Sequence, residues 1–397
     1  MEQGFESGRS LPTGDATPPQ SPSEVVINRS RTAWLFALLG CSFLACYVGF
    51  RLPGAYSLTF YNVSWFDGIT RRALFGTVLG PLWSGTDHSY WAQALVSFVV
   101  LLALLVVILR QALRARFDSQ RILVCAWLIA PTGAFLFYEV ANFEQVVYLL
   151  LFASMWLWLR VPRVVAMLPL LVAVLVHELA LLTAWPFMVW YVWRAAPGIR
   201  RNLAVLVPLL GGVLVSLRPS LSAEAANDLE AVLNDRVEFP VPVGVLRPFI
   251  SSVTEVWAFY SPVRGLGFVG PIALVLVLVC IAIMWRTGTR TVSRSSTLLA
   301  VGACCAPLTL SLVAYDNNRW VFLAFANFTM VGFFWLSSRA EEASAVVVAS
   351  WVLPLSLLFY YPALTYIDGA SPRSLSPGVI VEYLKDPGSF APLVLNN

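Results

Sequence analysis

The sequence predicts an all-α integral membrane protein of about 11 transmembrane helices, including a short bent hairpin, with loops on the outer face and an interfacial helix. Three observations predict it. Hydrophobic residues make up 58% of the 397, charged residues 12%, and the mean hydropathy is +0.75, whereas an ordinary soluble domain is roughly a quarter charged. Apolar runs near 20 residues recur, about the length that crosses ~30 Å of hydrocarbon. The arginines fall on alternate sides of those runs.

Residues 1–32, rich in Ser, Pro and Gly, read as a disordered cytoplasmic tail. Residues 33–366 form one polytopic membrane domain, and 367–397 an outer C-terminal tail. The first run, Ala33 to Phe50, is an uncleaved signal anchor. The other spans are placed near 91–109, 122–138, 145–159, 164–176, 179–193, 203–217, 266–285, 296–314, 320–337 and 344–364. With the N-terminus cytoplasmic, the inner segments hold 16 arginines, among them Arg110, Arg121, Arg194, Arg290 and Arg339, for a net charge of +9 against −5 outside. This follows the positive-inside rule and places the chain in the plasma (inner) membrane, its C-terminus outside. Tyr90-Trp91, Trp190-Tyr191 and Trp285 stand at run ends, the headgroup level that amphipathic rings prefer.

Between Arg163 and Arg194 the apolar stretch is too long for one upright span and too short for two. A hairpin with His177-Glu178 at its bend accommodates it, with a polar pair at a depth where unsatisfied groups are expensive. The bland reading is a hydrogen-bonded pair that closes the hairpin.

The expected outer segments carry the remaining candidates. Trp65 to Gly76 reads as a short interfacial helix with Asp67 and Arg71 on one face and Arg72 beside them; lipid headgroups are the alternative partners of its arginines. Glu139, Asn142 and Glu144 occupy the second outer turn, where oxygen ligands suit a sugar hydroxyl or Mg2+ or Mn2+. Asp316, Arg319 and Trp320 occupy the fifth: arginine's planar fork fits a phosphate, and a mutual salt bridge is the alternative. In the long outer loop, 218–264, Ala225, Leu229, Val232 and Leu233 fall at helical spacing.

The six cysteines lie in apolar runs without zinc-site spacing. No Walker loop, Rossmann fingerprint or Gly-x-Ser-x-Gly elbow is present, and His177-Glu178-Leu179-Ala180-Leu181 lacks the second histidine of a zinc protease. Nothing points to nucleic acid.

An acid in the first outer loop, Asp67, followed by Arg71-Arg72-Ala73-Leu74-Phe75-Gly76, with His177-Glu178 and Asp316-x-x-Arg319-Trp320 further on, resembles the multi-pass glycosyltransferases of the GT-C type and bacterial O-antigen and exopolysaccharide polymerases. The resemblance implies transfer of a sugar, in cell-envelope glycan synthesis, from a polyprenyl-phosphate or pyrophosphate carrier to a glycan or lipid acceptor at the outer face. It makes Asp67 the general base or a metal ligand, although the paired acids common in that family are missing because Gly68 follows. His177 and Glu178 join Asp67 as catalytic candidates. Arg71, Arg72, Asn142, Glu144, Asp316, Arg319 and Trp320 become substrate-binding candidates. No metal or cofactor is required, although Asp67 and Glu144 would suit Mg2+ or Mn2+. A transporter or flippase for a lipid-linked or small polar substrate is the alternative; a noncatalytic assembly subunit is the third.

Overall fold

The computed structural model describes residues 22–68, 72–83, 90–195, 203–216, 221–250, 262–287, 294–312, 314, 316–360, 373 and 376–385. Of the expected disordered tail, residues 1–21 lie outside them, as does Arg71, whereas 22–32 are helical and form the start of the helix Pro22–Gly49, so the first helix begins well before the apolar run. The described chain is all-helical.

Each of the eleven apolar runs holds a helical element, but eleven full-length spans are not formed. Among the described residues four helices are long and apolar enough to cross a membrane: Ser30–Gly49, Tyr90–Leu113, Arg294–Leu312 and Asn317–Ser337. A fifth crossing is made if Asp118–Ile129 and Pro131–Tyr138, bent by 61° at their junction, count as one. The bend has a local cause. Pro131 opens the second helix, its ring excludes helical backbone at Ala130, and Ala130 is extended at φ −61°, ψ 158°. The other runs are cut short. Leu168–Val176 stops where His177 turns extended at φ −156°, ψ 121°, and 3-10 turns replace α-helix at Leu203–Leu206 and Leu358–Tyr360. The break at His177-Glu178 expected of the hairpin is therefore present.

Asn317–Ser337 is the central helix. In its span window 78% of residues are buried, against 22% for Ser30–Gly49 at the periphery. A buried polar group needs partners, and Asn327, fully buried at the middle of the central helix, has three. Its amide donates to Thr183 O at 3.0 Å and Ala303 O at 2.7 Å, and its Oδ1 accepts from Tyr148 at 3.2 Å. One side chain thus ties four segments together. At the far end of this helix Arg339 lies over Trp335, while Arg160 and Arg194 lie over Trp156 and Trp190. This pairs cation and ring as interface anchors do.

The first helix, Pro22–Gly49, packs on Pro131–Tyr138 through an approach only glycine permits: a Cβ on Gly49 would lie 1.8 Å from Ala134 O. A backbone oxygen cannot rotate aside, so Gly49→Ala is expected to push the two helices apart and destabilise the chain by about 2–3 kcal/mol. A thermal melt in detergent reads the loss, and an unchanged melting temperature would disprove this contact. Arg373 holds the same helix end: its backbone N–H donates to Val48 O, and its guanidinium donates to Tyr47 O at 2.6 Å and Phe50 O at 2.5 Å. Those carbonyls have no partner within the helix, so the arginine acts as a remote cap.

At the opposite end from the Trp–Arg anchors of the central helix, a second apolar cluster gathers under the 221–250 segment. The amphipathic helix forms over Ala223–Arg236, Ser222 capping it through Oγ to Ala225 N. It buries Ala226, Leu229 and Leu233 against Leu58, Phe60, Tyr61 and Phe143. Val232, expected on the apolar face, is 43% exposed. The segment, called the cap below, packs beside the residues described next, Phe249 meeting Phe60 edge to face.

Candidate functional site

Five segments meet beside the cap. The expected single interfacial helix over 65–76 does not form. Trp65–Asp67 is one 3-10 turn, closed by Gly68 at φ +81°, and α-helix resumes only at Leu74. A left-handed residue ends a helix, and glycine adopts that conformation without penalty. The Asp67–Arg71 pairing therefore lacks the continuous helix that would impose it.

Asp67 is held elsewhere. Its Oδ2 accepts from Ser64 N at 2.8 Å and Ser64 Oγ at 3.0 Å, and Arg236, at the end of the cap helix, grips it with both guanidinium arms at 2.9 and 3.2 Å. The Asp67 side chain is 6% exposed. A carboxylate in such a fork is geometrically fixed, and here it latches the cap to the first loop. Arg236→Ala is expected to speed amide exchange across 223–236 while the central helix stays protected. Unaltered exchange in the cap would show that the latch holds nothing.

Arg72, by contrast, turns inward. Its Nη2 is 3.1 Å from Glu178 Oε1, and its guanidinium lies over the Phe60 ring at 5.5 Å. His177 caps the 3-10 turn Glu178–Leu181, its Nδ1 accepting from Leu179 N at 3.1 Å. Glu178 Oε2 is 3.4 Å from the same nitrogen. Nδ1 cannot accept from the backbone and also donate to the carboxylate. The shorter, directed bond from Leu179 places the proton of a neutral ring on Nε2, which leaves Glu178 Oε2 without a hydrogen-bond partner.

Glu144 begins the helix Glu144–Trp158 and is paired with Arg319. Both side chains are at least nine-tenths buried. Asp316, before the central helix, reaches Arg319 at 3.8 Å, and the guanidinium lies over Trp320 at 5.4 Å. Asn142 Oδ1 accepts from Ser57 at 2.9 Å.

Arg72, Asn142, His177 and Arg319 line one cleft with Tyr56, Ser57, Phe60, Ala141 and Phe143. Four predicted residues from four separate segments thus converge; Asp67 does not join them, and Glu144 and Glu178 attach through their arginine partners. The cleft is tight: it offers about 10 Å3 to water-sized groups, room for roughly one water. A larger ligand requires the segments that line the cleft to move apart.

Backbone strain marks the same place. Arg72 at φ +57° and Ala141 at φ +75° are the two non-glycine residues with positive φ among those described, and both line the cleft. Each such conformation costs on the order of 1–3 kcal/mol and persists where the surroundings impose it, most often at functional sites. Sequence reasoning missed Phe60, Ser57 and Ala141, whose residue types carry no chemical signal, and it did not pair Arg236 with Asp67. Among the described residues no group of three or more His, Cys, Asp or Glu side chains could hold a metal ion. Asp67 and Glu144 are drawn to different arginines. No family model, curated protein or solved structure matches the chain, so the character of this site rests on its geometry.

Proposed function

We propose that the chain is a membrane glycosyltransferase that takes a sugar from a polyprenyl-phosphate or pyrophosphate carrier at the outer face of the plasma membrane. In this reading all eleven helical runs lie in the membrane, with the N-terminus cytoplasmic and the C-terminus outside. One observation carries it: Arg72, His177 and Arg319 converge on a cleft at one end of the bundle.

Two guanidinium groups and an imidazole N–H form a donor set suited to phosphoryl oxygens, and their cationic charge opposes the negative charge that builds on a departing phosphate. Glu178 supplies what the cations cannot, a carboxylate oxygen with no donor bound to it. In this reading it accepts the proton of an acceptor hydroxyl, once the cleft opens to admit one, as the new glycosidic bond forms and the carrier phosphate leaves with the electron pair of the old one. Asp67, engaged by four donor contacts, keeps the cap in register instead.

The test is consumption of a radiolabelled polyprenyl-phosphate sugar by the purified chain in vesicles that contain glycan and lipid acceptors. Labelled acceptor is the expected product. Movement of intact donor across the bilayer without transfer would replace this reading with the carrier alternative, and the absence of both transfer and movement would overturn both.

A further inference from the structure

A larger cavity lies on the other side of the Glu144–Arg319 pair. It offers about 100 Å3 to water-sized groups and is open on one side, between Tyr90–Leu113, the bent pair Asp118–Tyr138, Glu144–Trp158 and the central helix. Its walls are apolar, among them Leu104, Trp127, Phe152, Phe322 and Met330. Along the central helix it runs from Phe322 to Phe334, about 18 Å at 1.5 Å per residue, which is close to the half-thickness of a ~30 Å hydrocarbon layer. Its dimensions suit an extended hydrocarbon chain.

The lining is polar in few places; one donor there, Trp127 Nε1, and three oxygen atoms lack partners. Glu144 Oε2, Gln145 Oε1 and Thr329 Oγ1 are buried without a hydrogen bond, and all three residues line the cavity. Each residue is no more than 5% exposed. The Gln145 amide is fixed in orientation, because its nitrogen donates to Leu136 O at 3.2 Å and Glu139 O at 2.6 Å, so its oxygen is the atom left over. A carboxylate oxygen and an amide oxygen are acceptors only, and leaving them unmet in an apolar wall is unfavourable. They call for a donor. An anionic head would meet two more acceptors here, and no cationic side chain among the described residues lines this cavity.

We propose that this cavity binds the hydrocarbon chain of an uncharged amphiphile whose hydroxyl head donates to Glu144 and Gln145: a long-chain alcohol, isoprenoid or acylglycerol, not a lipid phosphate. The inference concerns binding alone and stands or falls independently of sugar transfer. The chain lies along the central helix, and the hydroxyl rests beside the ion pair that separates this cavity from the cleft above.

The experiment uses the purified full chain in vesicles and photoreactive probes with a diazirine at mid-chain: a long-chain alcohol, an isoprenoid alcohol, a monoacylglycerol, and the phosphate ester of the first. Labelling by at least one hydroxyl probe is expected to map to residues 144–158 and 317–337, to be competed by the unlabelled compound, and to exceed labelling by the phosphate about tenfold. Which probe dominates identifies the source. Ala326→Trp, which fills the cavity, is expected to abolish labelling, and Gln145→Leu to weaken the alcohol about fivefold, the loss of one neutral hydrogen bond. The competition arm on the native chain needs no variant and so holds if Ala326→Trp fails to fold. Equal labelling by alcohol and phosphate, labelling that no unlabelled alcohol competes, or cross-links confined to other helices would each overturn the proposal.

Discussion

Arg319→Ala is expected to destabilise the chain by about 3–5 kcal/mol, the largest stability loss of any single polar substitution at the site. The reason lies in what remains. Glu144 and Arg319 are both at least nine-tenths buried, and removal of one partner strands the other's charge where no water reaches it. The two single variants should differ. Glu144→Gln leaves Arg319 with Asp316 at 3.8 Å and an amide oxygen in the place of the carboxylate, so its loss is smaller. In the double variant Arg319→Ala with Glu144→Gln no charge is left stranded, and most of the stability should return. Thermal unfolding of the purified chain, followed by tryptophan fluorescence, reads all three. A double variant as unstable as Arg319→Ala would show that the loss comes from packing and not from the bare carboxylate.

How much of this was legible follows from the range of each interaction. The helical character of every apolar run and the break at His177-Glu178 are written in local composition, because a polar pair inside a 30-residue apolar stretch marks its own exception. The length of the helices was less legible. Pro131 bends one expected span by 61°, and 3-10 turns trim others, features set by a few residues that a hydropathy window averages away. The pairing of site residues was least legible. Asp67 and Arg72 stand five positions apart, yet one is bound by Arg236, 169 residues onward, and the other by Glu178, 106 residues onward. Gly68, left-handed at φ +81°, ends the turn that carries Asp67 before Arg72 is reached. The sequence reading noted this glycine only as a missing acid. Likewise Glu144 and Arg319 were separate candidates in separate turns. Only the packing of the helix Glu144–Trp158 near the central helix makes them a pair, and nothing in either turn announces it.

Because Gly68 separates the two, the acid that accepts the acceptor proton can be assigned by experiment. Glu178→Gln is expected to lower the rate of sugar transfer by 10²–10⁴-fold, the usual worth of a positioned general base, with the fold retained. Glutamine has the shape of glutamate and can still accept from Arg72 through its amide oxygen, so the 3.1 Å contact survives as a neutral hydrogen bond. Donor binding should hold steady or tighten, because the variant removes a negative charge from beside the phosphate-binding arginines. The predicted signature is therefore a fall in kcat with KM unchanged or lower, which a purely structural role would not produce. Asp67→Asn gives the contrast. It weakens the fork to Arg236 and loosens the cap, so it should raise KM and speed amide exchange over 223–236 while kcat falls far less. If Asp67→Asn instead abolishes turnover and Glu178→Gln leaves it intact, the base is Asp67, and the cap must then carry Arg236 away before the reaction begins.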